Sequence, residues 1–142
     1  MTTEFNLDYA EARKAIDTIV TEVARRGKAA VVVVADSHGE LIALARMDGA
    51  PLSSITVASN KAVTAARAGK SSYEIGSKAR HPEQGYDISY YGDSRFCGWG
   101  GGVPVKKDGK IVGSVAVSGL PQEEDMEVVE LGVAAIGIDS KK

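Results

Sequence analysis

The stretch FCGWGGGVPVKKDGKIVGSVAVSG, residues 96–119, carries the main signals for the fold of this chain. Asp108-Gly109 is a tight-turn signal between two apolar runs, so it predicts a β-hairpin with strands at residues 103–107 and 111–118. We expect one more strand at residues 96–99, on the other side of the glycine run 100–102. Only glycine allows a ligand or another strand to come this close to a backbone, so the glycine run also indicates a site.

Apolar spacing defines the elements around this stretch. A helical pattern predicts a helix that starts near Tyr9, is capped by Asn6 and ends at Gly27. Residues 29–47 predict a second hairpin, and its first strand lacks alternation, so we expect it to be central and covered on both faces. Residues 53–68 and the segment after Pro121 predict two more helices, and residues 70–93 predict one helical turn followed by an ordered loop. These elements predict an α/β fold, with one α-β-α layered domain over residues 1–142.

Composition limits the classes of partner. The 142 residues are 44% hydrophobic and 25% charged, which is typical of one globular domain. A net charge of -2 gives no positive field for nucleic acid or for an anionic membrane, so neither partner is expected. Cys97 is the only cysteine, which excludes an internal disulfide. The start of the chain lacks a secretory signal pattern and no apolar run is long enough to span a bilayer, so we expect a cytoplasmic protein.

Two nucleotide motifs are nearly present but fail on spacing. A phosphate loop ending at residues 69–72 would need glycine where Thr64 stands, and a dinucleotide fingerprint in the glycine run would need glycine where Val103 stands. His38 lies in a predicted turn and His81 precedes Pro82 in a loop, and both are far in the sequence from any paired His or Cys, so no metal site is predicted.

Two features leave alternatives open. Lys61 lies beside the small-residue face of the predicted helix 53–68, where its ammonium either extends outward to solvent or meets a ligand or a carboxylate. Five of the chain's aromatic residues crowd into residues 86–99. They either have a structural role, in which they hold the loop together or form a subunit contact, or they face a ligand. They are Tyr86, Tyr90, Tyr91, Phe96 and Trp99.

The chain resembles the GlcG/HbpS family, which also supplies the C-terminal domain of PduO-type corrinoid adenosyltransferases. The resemblance rests on short collinear motifs over nearly the whole chain: Ala35-Asp36 with Gly39, residues 45–50 (ARMDGA), residues 58–62 (ASNKA), residues 101–104 (GGVP), Val112-Gly113, and residues 117–119 (VSG) with Asp125. It implies a five-stranded, largely antiparallel sheet between helices and assembly into a homo-oligomer. Members include haem-binding extracellular sensors, cytoplasmic proteins of glycolate operons and lyases acting on aromatic hydroxylamines, so the resemblance does not determine one function.

The family pattern indicates which residues form the site. Eight residues occupy its recurring positions: Arg46, Asp48, Lys61, Gly101, Gly102, Ser118, Gly119 and Asp125. From this group and the aromatic loop we predict nine ligand-binding residues. They are Asp48, Gly101, Gly102, Ser118, Gly119 and Asp125 of the family pattern, and Tyr86, Phe96 and Trp99 of the loop. The loop itself differs from the haem-binding members, and it is where a function particular to this protein is expected.

Two functions from different classes follow. The first is a cytoplasmic oligomeric protein that binds haem or a related tetrapyrrole, with Arg46 or Lys61 meeting the propionates. The second is a cofactor-free lyase or isomerase for a small aromatic substrate of the hydroxylamine type or for an oxoacid. In it Lys61 is the acid/base or cation, Arg46 holds a carboxylate, and Tyr90 or Tyr91 assists proton transfer. A third interpretation is a structural or regulatory partner that assembles through its last helix.

Overall fold

The computed structural model describes residues 1–2 and 4–137. It consists of helices on both faces of an antiparallel sheet, with the elements in the order α1, β1, β2, α2, α3, β3, β4, α4. Their bounds are α1 Tyr9–Arg25, β1 Val31–Asp36, β2 Leu41–Arg46, α2 Ser53–Ala68, α3 Ser72–Ala79, β3 Gly102–Lys107, β4 Lys110–Ser118 and α4 Gln122–Ile136. A short 3-10 helix, Ile88–Tyr91, lies between α3 and β3.

The sheet has the strand order β2-β1-β4-β3, and all its pairings are antiparallel. This order confirms the predicted central position of β1, whose first five residues are all buried. β1 is buried along this length because helices cover both faces of the sheet. Alternate residues of β1 therefore contact different helices. The predicted hairpin at Asp108-Gly109 is also confirmed, and both residues have the positive φ angles (53° and 77°) that such a turn requires.

Two apolar clusters, one on each face of the sheet, hold the helices against it. Alternate residues of β1 and β4, such as Val32 and Val117, pack against α1 and α4 on one face. The intervening residues, such as Val33 and Ala116, pack against Ala58 and the neighbouring small residues of α2 on the other face. Alanine on α2 allows the helix to approach the sheet closely, so polar groups of α2 come near the ends of the strands.

The described residues contain four strands, so the expectation of five is wrong, and the segment predicted as an extra strand is a loop. The physical reason is a contact that sequence does not show. The backbone of Gly98 packs on the backbone of Gly76 in α3, where a Cβ added at Gly98 would lie 2.7 Å from the Gly76 Cα. The N–H of Cys97 donates to Thr64 Oγ1 at 2.8 Å, rather than to a neighbouring strand.

Two other local predictions are corrected. The cap of α1 is Asp8, whose carboxylate accepts the N–H of Glu11, while the Glu11 side chain accepts the N–H of Asp8. Asn6, the predicted cap, instead accepts the N–H of Ser37 at 2.8 Å. The segment after α2 holds the eight-residue helix α3 rather than one turn, because Ser71 caps it by accepting the N–H of Glu74.

The last helix has an apolar side beyond the one that covers the sheet. Val128, Val129 and Val133 of α4 are buried in the core, whereas Leu131 is 42% exposed. The prediction that α4 is apolar on two sides agrees with this arrangement. In the part of the chain that the structure describes, no helix combines the length and apolarity needed to cross a membrane.

Candidate functional site

A buried ion pair links α2 to α4 at one end of the sheet. The ammonium of Lys61 lies 3.2 Å from the carboxylate of Asp125 and donates to the carbonyl of Val117 at 2.8 Å. Lys61 is 2% exposed and Asp125 is 3% exposed. Of the two alternatives for Lys61, the structure shows that its ammonium meets a carboxylate.

The glycine run makes the space for this pair. Gly101 has a φ of +125°, and a Cβ added there would lie 2.7 Å from the Val117 oxygen and 2.9 Å from the Lys61 nitrogen. At Gly102 an added Cβ would lie 2.5 Å from the carbonyl oxygen of Lys61. The two glycines therefore allow α2 and the Lys61 ammonium to lie where they do, because a side chain at either position would displace the helix or the ammonium.

Burial changes the acidity of Asp125. Desolvation raises the pKa of this carboxyl from 3.8 to about 6, although the ammonium of Lys61 and the N–H of Leu120 both act to lower it. The Leu120 N–H donates to Asp125 Oδ1 at 3.2 Å, so each carboxylate oxygen has a partner. A buried carboxyl with a raised pKa beside a cation is a common feature of functional sites.

This pair lines an open cleft of about 490 Å³, which we call the lysine cleft. Its walls come from the start of α2, the segment 99–100, the end of β4 and the start of α4. They include Ser54, Lys61, Trp99, Gly100, Ser118, Gly119, Leu120, Gln122 and Asp125. Five predicted site residues (Lys61, Trp99, Ser118, Gly119 and Asp125) are thus brought together at one place.

A second cleft of about 420 Å³ lies on the other side of Trp99, and we call it the α3 cleft. One wall is the end of α3 with Arg80, whose guanidinium donates to the Gly98 carbonyl at 3.3 Å. The remaining wall is mainly apolar. The residues lining it are Gly76, Ala79, Arg80, Tyr86, Ile88, Cys97, Gly98 and Trp99.

The aromatic loop is divided between the two alternatives of the sequence analysis. Tyr91 stacks on Phe96 with ring centres 4.4 Å apart, and its hydroxyl lies 3.1 Å from that of Tyr86. These three rings hold the loop together. By contrast, Tyr90 is 80% exposed and Trp99 is 61% exposed. Only Tyr86 and Trp99 of the five aromatic residues line a cleft.

Arg46 and Asp48 do not line either cleft, and both are exposed. The strand register still places Arg46 at the same end of the sheet as the lysine cleft, because Arg46 is opposite Val31 and Val31 is opposite Ser118. Two strand spacings separate Arg46 from Ser118, or about 10 Å. Tyr90 and Tyr91 lie outside the lysine cleft, so the structure does not bring the four predicted catalytic residues together. Their roles remain predictions.

Both histidines already have hydrogen-bond partners. His38 Nε2 lies 3.0 Å from the carboxylate of Glu4, which raises the pKa of this histidine. His81 Nδ1 accepts the N–H groups of Glu83 and Gln84 at 3.1 and 2.9 Å. When Nδ1 of a neutral imidazole accepts, the proton is on Nε2, so that nitrogen has no free lone pair.

Sequence reasoning did not identify several residues of the two clefts. Ser54, Gln122 and Arg80 all line them, and Gln122 Oε1 accepts the N–H of Gly100 at 2.8 Å. The only signal for Ser54 and Gln122 is their position one or two residues after the start of a predicted helix. Nothing in the sequence near Arg80 indicates that it meets the glycine-rich segment.

Comparisons with known proteins identify the family of this chain. Residues 7–134 match the sequence model of the family described as haem degrading protein HbpS-like. An uncharacterized 15.0 kDa protein from the dhaT-dhaS intergenic region of Citrobacter freundii is 30% identical over 124 residues, which are 87% of this chain and 87% of that protein.

Two solved structures have the same fold. The crystal structure of the PduOC:haem complex matches with a TM-score of 0.89 and 25% identity, over 96% of this chain and 99% of that chain. A double mutant of HbpS from Streptomyces reticuli matches with a TM-score of 0.83 and 26% identity, over 94% of this chain and 89% of that chain. The family match covers most of the chain, and the fold is similar over 94–96% of it. The chain therefore belongs to the HbpS-like family.

Proposed function

We propose that this protein binds haem or a related tetrapyrrole, and that it does so in the α3 cleft. The observation that carries this proposal is the likeness to the PduOC:haem complex, which extends over 96% of the chain. The α3 cleft supports it because its walls are mainly apolar and aromatic, as a planar macrocycle requires.

The donor atoms of the chain favour this cleft over other places. Neither histidine lines the α3 cleft: His81 Nδ1 accepts two backbone N–H groups, and His38 is paired with Glu4. Two residues of the α3 cleft are of types that serve as axial haem ligands, Cys97 and Tyr86. The hydroxyl of Tyr86 already lies 3.1 Å from that of Tyr91, and this contact raises the pKa of Tyr86, so the sulfur of the half-buried Cys97 is the favoured donor. The residues of the α3 cleft fit haem, because the thiol of Cys97 lies beside an apolar wall.

The other residues of the cleft have separate roles in this proposal. The indole of Trp99 and the side chain of Ile88 cover apolar ring surface, and the Arg80 guanidinium pairs with a propionate. Haem, when bound, supplies an iron whose properties depend on the sulfur donor and on the polarity of the cleft. The backbone contact between Gly76 and Gly98 keeps the two walls in place.

Titration of the purified protein with hemin tests the proposal. We expect a saturable Soret shift. Cys97→Ser should change the position of the Soret band because it removes the axial sulfur. Arg80→Ala should lower the affinity for hemin about tenfold because it removes a charge-assisted pair with a propionate. Lys78→Met is the matched control, since Lys78 is an exposed cation on α3 that pairs with Glu74. The absence of a saturable Soret shift in the unaltered protein would overturn the proposal.

A second candidate function is acid–base chemistry in the lysine cleft, as a cofactor-free lyase or isomerase. One observation favours it: a buried carboxyl with a pKa of about 6 lies beside an ammonium at the wall of a cleft. In an isomerisation, Asp125 takes a proton from one substrate atom and returns it to another, so no oxidant or reductant is required. Lys61 stabilises negative charge that develops in between.

The second candidate is tested with 4-hydroxylaminobenzoate as the probe, followed by its ultraviolet spectrum over time. Asp125→Asn keeps the size of the side chain but cannot take up a proton, so we expect kcat to fall at least about a hundredfold. We also expect the rate of the unaltered protein to rise with pH through about 6, as Asp125 loses its proton. Turnover that is unchanged in Asp125→Asn would exclude this residue as the base.

We also propose that the protein acts in the cytoplasm as a homo-oligomer. The exposed Leu131 on α4 supports assembly through this helix. Light scattering after gel filtration tests the oligomer, with Leu131→Glu expected to lower the measured mass. A monomeric mass for the unaltered protein would contradict this part of the proposal.

A further inference from the structure

The two edges of the sheet differ in how they are protected. β3 forms one edge, where the N–H of Gly102 donates to Ser72 Oγ of α3 at 2.9 Å and Pro104 has no N–H to offer. Lys106 and Lys107 add positive charge at the end of this strand. Covering groups, proline and lysine are usual means by which proteins keep an edge strand from pairing with another chain. The β3 edge is therefore closed to a further strand.

β2 forms the other edge and has none of these three means of protection. Between Glu40 and Arg46 it consists of the apolar run LIALA, and no other strand of the described residues pairs with its outer side. Met47 donates its N–H to the Ala30 carbonyl at 3.1 Å. Because hydrogen bonds alternate along an antiparallel ladder, the N–H and C=O groups of Arg46 and Leu44 point away from β1. They can accept and donate hydrogen bonds to a further strand.

The charges at its two ends make β2 complementary to itself. If two copies of β2 pair antiparallel about a two-fold axis at Ala43, Glu40 of each copy lies opposite Arg46 of the other. Both side chains are on the α2 face of the sheet. Glu40 contacts Arg67 of α2, and Arg46 is two residues after Leu44, which packs in the apolar cluster on that face. The two opposite charges would therefore meet on the same face.

Both charged side chains are available for this contact. Glu40 lies 3.3 Å from Arg67 and 4.0 Å from Arg95, in each case through Oε1, so Oε2 can meet a further cation. Arg46 is exposed and takes part in no ion pair of the described residues. The register of β2 with β1 shifts near Leu41. Long side chains reach a diagonal neighbour as well as the opposite one, so the charges can still meet.

We infer that the β2 edge is an interface at which a second copy of this chain adds its own β2, so that two four-stranded sheets become one continuous antiparallel sheet. The outward N–H and C=O groups supply the hydrogen bonds, and the apolar run supplies contact surface, with Leu41 60% exposed. The inference rests on the proposed homo-oligomer. It names a contact separate from the one at Leu131 on α4.

Light scattering after gel filtration tests the β2 edge in protein that carries Leu131→Glu, so that the contact through α4 is removed. We expect this protein to be a dimer. Arg46→Glu and Glu40→Lys should each raise the dissociation constant of the dimer at least about tenfold, because each places like charges opposite one another twice. Lys107→Glu reverses a charge at the end of the other edge strand. It is the matched control and should leave the dimer intact.

An equal mixture of the Arg46→Glu and Glu40→Lys proteins is the sharpest test. In a mixed dimer both contacts join opposite charges, so we expect the dimer to return in the mixture. Mixing would not repair a folding defect, and circular dichroism checks that each variant is folded. If Arg46→Glu leaves the dimer intact, or if the mixture stays monomeric, the inference is overturned.

The two parts of the assembly fail in different ways. A monomeric mass for the unaltered protein would contradict the homo-oligomer and the β2 contact together. An oligomeric unaltered protein whose Leu131→Glu variant is monomeric would overturn the β2 contact and leave the contact through α4 standing.

Discussion

The two clefts on either side of Trp99 are built in different ways. The lysine cleft is held by side chains and backbone from four separate segments, with a buried ion pair at its wall and glycines that leave no room for a side chain. The α3 cleft is formed by one short helix and a loop whose rings pack on one another. Four residues of the family pattern, Lys61, Ser118, Gly119 and Asp125, thus meet at the charged cleft, while the apolar cleft beside it is lined by α3 and the aromatic loop.

The strongest test of this difference is Lys61→Met, which leaves Asp125 buried without its cation. We expect a loss of about 3–5 kcal/mol in the free energy of unfolding at pH 8, because an uncompensated buried charge is costly. Urea denaturation measures the change. Lys78→Met is the control and should change the stability by less than about 0.5 kcal/mol, since exposed ion pairs contribute little. A loss below about 1 kcal/mol for Lys61→Met would mean that the pair does not hold the lysine cleft together.

The pH dependence of stability sharpens the same comparison. The pKa of Asp125 is about 6 in the folded chain, and 3.8 is the ordinary value for an aspartate in the unfolded chain. Between these two pH values the folded state keeps a proton that the unfolded state has lost. Stability therefore falls as pH rises from about 4 to 6, by about 3 kcal/mol from this group, and stays lower above that range. We expect Asp125→Asn to remove this slope. Parallel curves of unfolding free energy against pH for the two proteins would contradict the assignment.

Gly101→Ala tests whether the glycine run is required by the ion pair. The added Cβ would meet the Lys61 nitrogen and the Val117 oxygen at a φ that side chains rarely adopt, so we expect a cost of about 2–3 kcal/mol. Gly92→Ala is the matched control, because Gly92 also has a positive φ, 75°, but has no atom within 4 Å of an added Cβ. Its expected cost is about 1 kcal/mol. Equal thermal shifts for both variants would show that only backbone strain matters.

The smallest expected effect is in the aromatic loop. Tyr91→Leu removes the stacking on Phe96 and the contact with the Tyr86 hydroxyl, and we expect a loss of about 1 kcal/mol. Tyr90→Leu changes an exposed ring and should alter the stability by less than about 0.5 kcal/mol. Thermal unfolding distinguishes the two. A larger effect at Tyr90 than at Tyr91 would indicate that Tyr90 contacts a second subunit.

The sequence predicted those parts of the fold that depend on local spacing. The turn at Asp108-Gly109 and the buried central strand β1 are examples, because a glycine turn and an uninterrupted apolar run are both recognisable within a few residues. The loop at residues 96–99 was predicted as a strand, since its apolar residues give no sign of the contact between Gly98 and Gly76. That contact joins segments that are far apart in the chain.

The candidate site shows the same limit. The family pattern predicted Lys61, Ser118, Gly119 and Asp125 as one group, and the structure places them around one cleft. The family pattern did not predict Ser54 or Arg80, because the positions of these residues depend on how α2 and α3 pack on the sheet. Whether Lys61 meets solvent or a carboxylate also depends on that packing, so the residues alone left both alternatives open.

Haem is proposed to bind in the α3 cleft and not in the lysine cleft on the other side of Trp99. Hemin titrations of the unaltered protein, Arg80→Ala and Asp125→Asn distinguish the two clefts. We predict that Arg80→Ala, in the wall of the α3 cleft, weakens hemin about tenfold, whereas Asp125→Asn, in the wall of the lysine cleft, leaves hemin affinity unchanged. Unchanged hemin affinity in Arg80→Ala, or a loss confined to Asp125→Asn, would contradict the proposed place of binding.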